Sequence, residues 1–521
     1  MRPLRHQQLV LVSGTAVLSL VLTGCLPDAI TPLPGDRLDD GGGAVAIATT
    51  VPDTPLLQVK VIDDRGDPVS KAKVRFDGST PMITADDGLA SVPWQGAPVE
   101  VVAAARGFTP ATLVVEKRRQ EPLELTMDPV VLEGRVTNDE GAGIGGVTVS
   151  LGGTHAVTTP KGRFSLRRVV PGEVVVSKPG WEKKSIEWVG RRNQLELSLE
   201  PFMARGLHIG GWVVAQDRWE SLLDLADRTE INTMVVDVKD ESGMVFHMSD
   251  VPVARRIGAR RTDYDAVELA TTMDDRDIYL VGRVVAFQDP VAAQAIPKMA
   301  VMDRATGEPF TKNGQWFLDP TDHAAQKYAI DIGVEACRAG FDEIQFDYVR
   351  YPDGYPDSAR FDGPTSEEGR VKTITRFLET ARDRLHAEGC AVGADIFGFI
   401  VSIPDDGGIG QRLEELTNAV DVVSPMVYPS HYGTGWFGHD CPNNHPGSVM
   451  SGALDDALDR PLGTAQIRPW IQDFDWTPCG TTEYRVAELR DQIDAATARD
   501  MGYMVWNAAS LFTEGAFRPE G

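Results

Sequence analysis

The chain has 521 residues, with 51 Lys plus Arg against 76 Asp plus Glu and a formal charge of −25. That charge repels nucleic acid and anionic lipid headgroups and favours a neutral or basic partner. The composition, 42% hydrophobic and 24% charged, is that of an ordinary globular protein, and at ~150 residues per domain the length calls for several cores.

Residues 1–25 read as a secretory signal: basic Arg2 and Arg5, an apolar run from Leu9 to Leu22, then Thr23-Gly24-Cys25. The run falls short of the ~20 apolar residues a membrane-spanning helix needs. Leu22-Thr23-Gly24-Cys25 resembles the bacterial lipobox, which implies that Cys25 is lipidated, becomes the new N-terminus and tethers an extracytoplasmic protein to a membrane. An ordinary signal peptide with an incidental Cys25 is the alternative. Residues 26–55, rich in Pro, Asp and Gly, read as a flexible linker.

Two similar segments follow, 56–128 and 129–202. The first runs through Leu57-Gln58-Val59-Lys60-Val61, Thr84-Ala85-Asp86-Asp87-Gly88 and Arg106-Gly107-Phe108; the second through Leu132-Glu133-Gly134-Arg135-Val136, Thr158-Thr159-Pro160-Lys161-Gly162 and Pro179-Gly180-Trp181. Short alternating strands between Gly, Asp and Pro turns are the pattern of a small β-sandwich. The order of these cues resembles the carboxypeptidase regulatory-like domain, which implies a transthyretin-like seven-stranded sandwich. Neither copy gathers carboxylates, histidines or cysteines, so both read as spacers in preference to carbohydrate-binding modules.

Over 205–521 apolar strands alternate with amphipathic helices, the signature of βα units. Eight strands are placed at 207–214, 233–239, 278–286, 343–349, 391–397, 421–428, 466–473 and 502–507. Helical stripes include Val371, Ile374, Phe377, Leu378, Ala381 and Leu385, and later Val486, Leu489, Ile493 and Ala496. Eight units predict a (β/α)8 TIM barrel, so the whole chain is multidomain, two all-β sandwiches followed by a barrel. A doubly wound open sheet is the runner-up, and it lacks a Gly-x-Gly-x-x-Gly loop after the first strand. Of the remaining cysteines, Cys441 and Cys479 are placed to form a disulfide between two loops of one face, while Cys337 and Cys390 either pair or remain buried thiols.

Catalytic groups of such barrels stand at the C-terminal strand ends. Asp237, Asp347, Asp395 and Asp473 occupy those positions, and an ionised carboxylate in an apolar strand is costly unless paired or functional. Asp347 and Asp395 close adjacent strands ~4.8 Å apart, which suits the ~5–9.5 Å separation of carboxyls in glycoside hydrolysis. Asp347 is assigned as nucleophile or base and Asp395 as acid, with retention and inversion both open. Ion pairing with Lys239, Arg283, Arg350 or Arg468 is the structural alternative for each aspartate. Asp240, Asp289 and Asp319 read as loop or turn residues. Substrate-binding candidates are Asp237, Arg350, Tyr428, His431, Tyr432, Asp473, Trp212, Trp506 and Asn507, aromatic faces and polar groups of the kind sugars need. A metal-dependent hydrolase built on the aspartates is weakened because no His-x-His or His-Glu-x-x-His pattern appears, and Ser-His-Asp catalysis because there is no Gly-x-Ser-x-Gly elbow; neither metal nor cofactor is expected.

The blocks Gly340-Phe341-Asp342-Glu343-Ile344-Gln345-Phe346-Asp347-Tyr348-Val349-Arg350-Tyr351-Pro352, Ala394-Asp395-Ile396-Phe397-Gly398, Gly408-Ile409-Gly410-Gln411, Ser424-Pro425-Met426-Val427-Tyr428-Pro429-Ser430-His431-Tyr432 and Arg468-Pro469-Trp470-Ile471-Gln472-Asp473-Phe474 look like those of the putative glycosyl hydrolase domain family, related to amylase-like barrels. The resemblance covers essentially all of 205–521 and implies a barrel acting on a glycosidic bond. In amylase-like enzymes the residue ending strand four is an aspartate nucleophile, matched by Asp347. The acid after strand five is usually glutamate, where this sequence has Asp395. The implied partner is a polysaccharide or oligosaccharide substrate; a non-catalytic polysaccharide-binding envelope lipoprotein is the competing reading.

Overall fold

Leu57, Val59 and Val61 are fully buried on one face of the strand Leu56–Asp63, while the intervening residues stay partly or wholly exposed. This period-2 alternation repeats through the N-terminal region. The computed structural model describes residues 55–519 apart from 78, 95, 191–192 and 480–482. Residues 1–54, on which the expected signal segment, Cys25 and all but the last residue of the expected linker fall, lie outside the described residues.

Leu56–Asp63 runs between antiparallel Leu89–Pro93 and parallel Leu123–Met127. A second sheet orders Met82–Ile83, Lys73–Phe76, Val99–Ala104 and Ala111–Val115. Residues 131–198 repeat this arrangement: Val131–Thr137 lies between Arg163–Arg167 and Gln194–Ser198, and a second sheet orders Thr154–Val157, Thr148–Leu151, Gly172–Ser177 and Lys184–Trp188. Each copy has its own apolar cluster. The repeat extends to hydrogen bonds. Thr84 Oγ1 donates to Val69 O (2.7 Å) and accepts from Ala72 N (2.8 Å); Thr158 Oγ1 donates to Ile144 O (2.7 Å) and accepts from Val147 N (2.9 Å). In the first copy Gly88, at φ +77°, leaves no room for a Cβ, which would stand 2.5 Å from Val61 O.

From Leu56 onward the chain forms one compact unit. Phe202 stacks on Tyr279 with centroids 4.4 Å apart, and Gln466 Nε2 donates to Gly180 O (2.6 Å), so the second β copy is seated against the barrel.

The barrel strands are β1 (Arg205–Ile209), β2 (Thr233–Lys239), β3 (Tyr279–Val285), β4 (Glu343–Asp347), β5 (Ala391–Phe397), β6 (Val422–Met426), β7 (Trp470–Gln472) and β8 (Tyr503–Trp506). Parallel pairing runs β5-β4-β3-β2-β1-β8-β7-β6 and closes through β6 on β5, excluding the open sheet. Only β2 and β5 keep the bounds read from sequence: β3 and β8 are one residue shorter at each end, β4 ends at Asp347, β6 spans Val422–Met426, and the largest differences are at β1 and β7. β1 ends at Ile209, and a 3₁₀ turn over Gly211–Val213 takes up the rest. The seventh strand is broken into Gln466–Ile467 and Trp470–Gln472, because Pro469 has no N–H for the ladder.

Alternation inside the barrel separates two cores. Met234, Val236 and Val238 on β2 face the helices, whereas Val235, with Val281, Trp470 and Met504, fills the interior. The stripe of Glu367–His386 is buried in full, but Val486, in the first turn of Val486–Thr497, is 46% exposed, and only Leu489, Ile493 and Ala496 are buried from that stripe. Cys337 pairs with Cys390, and Cys441 with Cys479.

Candidate active site

Strand register brings the polar residues to one end. Asp237 on β2 is paired with Arg283 on β3, Arg283 with Gln345 on β4, and Phe346 with Ala394 on β5, one residue before each aspartate. With a side-chain period of two, Asp237, Arg283, Gln345 and Asp347 all point inward. Lower in the barrel, fully buried Glu343 meets Arg468 with both oxygens (3.0 and 3.0 Å). Removing either partner would leave an uncompensated buried charge.

Arg283 is the hub. Its Nε (3.0 Å) and Nη2 (2.5 Å) donate to Asp347 Oδ2, Nη1 (2.7 Å) donates to Asp237 Oδ1, and Nη2 lies 3.5 Å from Glu241 Oε2. Asp347 Oδ1 accepts the Tyr348 amide (2.6 Å). Tyr348 holds φ +49°, a left-handed conformation unusual for an aromatic residue and of the kind found where local strain serves a site.

Asp237 also lies 3.2 Å from His208 Nε2, and Tyr264 donates to its main-chain oxygen (3.1 Å). Burial pushes the Asp237 carboxyl up, but His208 and Arg283 outweigh it and hold it at about 2. Asp395, 1% exposed, goes the other way. Burial and the Asp347 charge push it well above the usual carboxylate range, despite the Trp470 indole donating to Oδ1 (2.6 Å). The two strand ends therefore carry a carboxylate ion-paired to a guanidinium and a carboxyl whose neutral form burial favours, a division that suits base and acid roles.

A pocket of about 420 Å³ opens at this end of the barrel. Glu241, Arg283, Asp347 and Arg350 are its charged lining, beside the rings of Tyr348, Phe397 and Phe399. Tyr428, His431, Tyr432, Trp470 and Trp506 also line it. The Arg350 guanidinium sits 4.5 Å over Phe397 and 5.1 Å from Tyr348, and Trp506 stacks on His208 at 3.9 Å. The Tyr432 hydroxyl is buried and has no hydrogen-bond partner among the described residues.

Five residues proposed from sequence for catalysis or binding stand outside the lining of this pocket. Asp237 is spent on Arg283 and His208 beneath it, and Asp395 is enclosed beside Trp470. Trp212 is off the strand on the 3₁₀ turn, with the Arg218 guanidinium 4.8 Å over its ring. Asp473 accepts Thr513 N (2.8 Å) and Oγ1 (2.7 Å), and Asn507 Nδ2 donates to Asp473 O (2.6 Å), so both organise the loop after β8. Asp289 caps the helix Pro290–Ala295 and pairs with Lys239 (3.0 Å), while Asp319 and Asp240 accept from nearby main-chain amides.

His208, Glu241, Tyr348, Phe397 and Phe399 were not singled out from sequence, and Arg283 only as an ion-pair partner. A single arginine in the otherwise apolar run Tyr279–Val285 was the signal for Arg283. Glu241 was hidden because it stands two residues beyond the end of β2.

A sequence model of the family described as "Putative glycosyl hydrolase domain" matches residues 206–512. Among solved structures, a hypothetical protein of Ruminiclostridium thermocellum is similar at 39% identity over 36% of this chain and 96% of its own, with a TM-score of 0.33. The PgaB (BpsB) glycoside hydrolase domain of Bordetella bronchiseptica is similar at 14% identity over 59% and 95%, TM-score 0.45. An α-galactosidase of Thermus thermophilus, solved with stachyose, is similar at 14% identity over 70% and 78%, TM-score 0.39. No curated protein matches this sequence.

Proposed function

The chain belongs to the putative glycosyl hydrolase domain family, and from that premise we propose that it is a glycoside hydrolase cleaving an extracellular or cell-wall polysaccharide with Asp347 and Asp395. The observation that carries the reading is the contrast between the two aspartates at adjoining strand ends, Asp347 paired to Arg283 in the pocket lining and Asp395 buried beside the Trp470 indole, where its neutral form is favoured. Asp347 acts at the anomeric carbon or on a water beside it, and Asp395 gives its proton to the leaving oxygen. Tyr428, Tyr432 and Trp506 supply aromatic lining for the sugar, with Arg350 and His431 as polar contacts.

Cys25 carries the lipid in this reading, residues 26–55 form the tether, and the β copies at 56–128 and 129–202 are carboxypeptidase regulatory-like sandwiches that space the barrel from a bacterial membrane. Loss of labelled fatty-acid incorporation in Cys25→Ser tests the anchor.

A second reading, a non-catalytic polysaccharide-binding lipoprotein, is favoured by one observation: three N–H groups already occupy Asp347, and Asp395 is not in the pocket lining. Reducing-end release from exopolysaccharides and cell-wall glycans separates the two. The hydrolase reading expects release by the wild type and none by Asp347→Ala or Asp395→Ala; equal release by all three proteins would overturn the catalytic assignment. A binder releases nothing and keeps its ligand affinity in Asp347→Asn.

A further inference from the structure

The backbone pairing of β4 with β5 ends at Phe346 and Ala394, one residue short of the two aspartates. Beyond that point a side chain takes over. Gln411, 1% exposed, donates through Nε2 to Asp395 O (3.1 Å) and to Val349 O (3.4 Å), and its Oε1 accepts the Phe397 amide (3.0 Å). It thus grips the main chain of Asp395, of the residue two beyond it, and of the residue two beyond Asp347.

Gln411 is itself held. Asp406 Oδ2 accepts from Gly410 N (2.8 Å) and Arg370 Nε (2.7 Å), and Oδ1 from Gly408 N (3.0 Å) and Arg370 Nη2 (2.8 Å). Tyr351 N donates to Ile409 O (2.9 Å), tying the same turn to the chain after β4. Gly410, at φ +88°, would place a Cβ 2.8 Å from Ile374 and 3.0 Å from Arg370 O, so the turn is wedged against the helix Glu367–His386. The result is a rigid post standing between two strand ends that no ladder joins.

Resting on the hydrolytic reading, we propose that Gln411 is a positioning residue: it sets the spacing of Asp347 and Asp395 by clasping the main chain of both strand ends. Gln411 does not line the pocket; it acts through the residues it holds. Spacing matters because retaining and inverting hydrolysis need carboxyls roughly 5–5.5 Å and 6.5–9.5 Å apart, and a ~1 Å displacement costs up to about a hundredfold in rate.

The test uses the full chain carrying Gln411→Met, which keeps the shape and loses the hydrogen bonds, and Gln411→Glu, which keeps the acceptor and loses the donor. On whichever aryl glycoside the wild type cleaves, both variants are expected to lose roughly tenfold to a hundredfold in kcat with KM within about threefold. A second readout needs no turnover. The Trp470 indole N–H, assigned by its loss in Trp470→Phe, donates to Asp395, so its pH-dependent nitrogen shift follows the protonation of Asp395. Its midpoint is expected to move in both variants, upward in Gln411→Glu because a second acidic group then stands against the Asp395 main chain. A Trp470 titration identical to wild type in either folded variant overturns the clasp. A wild type that hydrolyses no glycoside overturns the hydrolytic reading instead and leaves the titration to decide the clasp.

Discussion

Arg283 holds Asp347 and Asp237 at once, giving two N–H groups to an oxygen of the first and one to the second. One planar guanidinium thereby orients the pocket carboxylate from a residue fixed beneath the pocket. A lysine cannot span both partners, because its ammonium is a single point charge. Arg283→Lys is expected to lower kcat roughly a hundredfold and to cost about 3–5 kcal/mol of stability, since buried carboxylates are left under-compensated. Urea unfolding beside steady-state rates checks both, and full stability in the variant would show that Arg283 is not the hub.

Asp395 gives stability a pH dependence of definite sign. Its carboxyl lies above its unfolded range, so the folded state holds a proton that the unfolded state has lost. Stability is fully present below the unfolded value of about 3.9 and is lost as pH rises through the folded value. Asp395→Asn should therefore melt higher than wild type near neutral pH and equal to it at pH about 4, while losing hydrolysis. A variant with the same melting curve as wild type at both pH values would show that Asp395 ionises without penalty.

Asp237 runs oppositely. Held at about 2 against an ordinary 3.8, it contributes stability above its unfolded value that disappears as pH falls through about 2, worth about 2–3 kcal/mol. Asp237→Asn should flatten the acid limb of a stability profile between about pH 4 and 2. An unchanged acid limb would locate the acid sensitivity elsewhere.

What was legible from sequence was whatever periodicity encodes. Strands such as Thr233–Lys239 and Ala391–Phe397 appear at their expected bounds, and the Glu367–His386 stripe is buried throughout, because alternation and helical spacing are local. The two β copies show the same strand order because their turn residues recur. Partnerships across the barrel were not legible. That Asp237 is spent on Arg283 and His208, or that Asp473 serves a loop at Thr513, depends on residues 29 to 46 positions apart. Trp212 was misplaced because the apolar run was read straight through Gly210-Gly211, the pair that ends the strand after Ile209.

Tyr348 combines a strained backbone with a place in the pocket wall. At φ +49° its amide is aimed at Asp347 Oδ1, while its ring lines the pocket beside the Arg350 guanidinium. Glycine adopts this conformation without the ~1–2 kcal/mol that a side chain costs there. If the ring were present only for packing, Tyr348→Gly would lose stability and leave the chemistry alone. If it is present for the site, relief of strain offsets the lost contacts and the damage falls on activity. The expected outcome is a stability change within about 1 kcal/mol together with roughly tenfold or greater loss of kcat/KM, with Tyr348→Phe, which keeps ring and strain, close to wild type in stability. Melting temperatures and rates measured on both variants decide it. A Tyr348→Gly protein that is strongly destabilised yet fully active per folded molecule would make the residue a packing element.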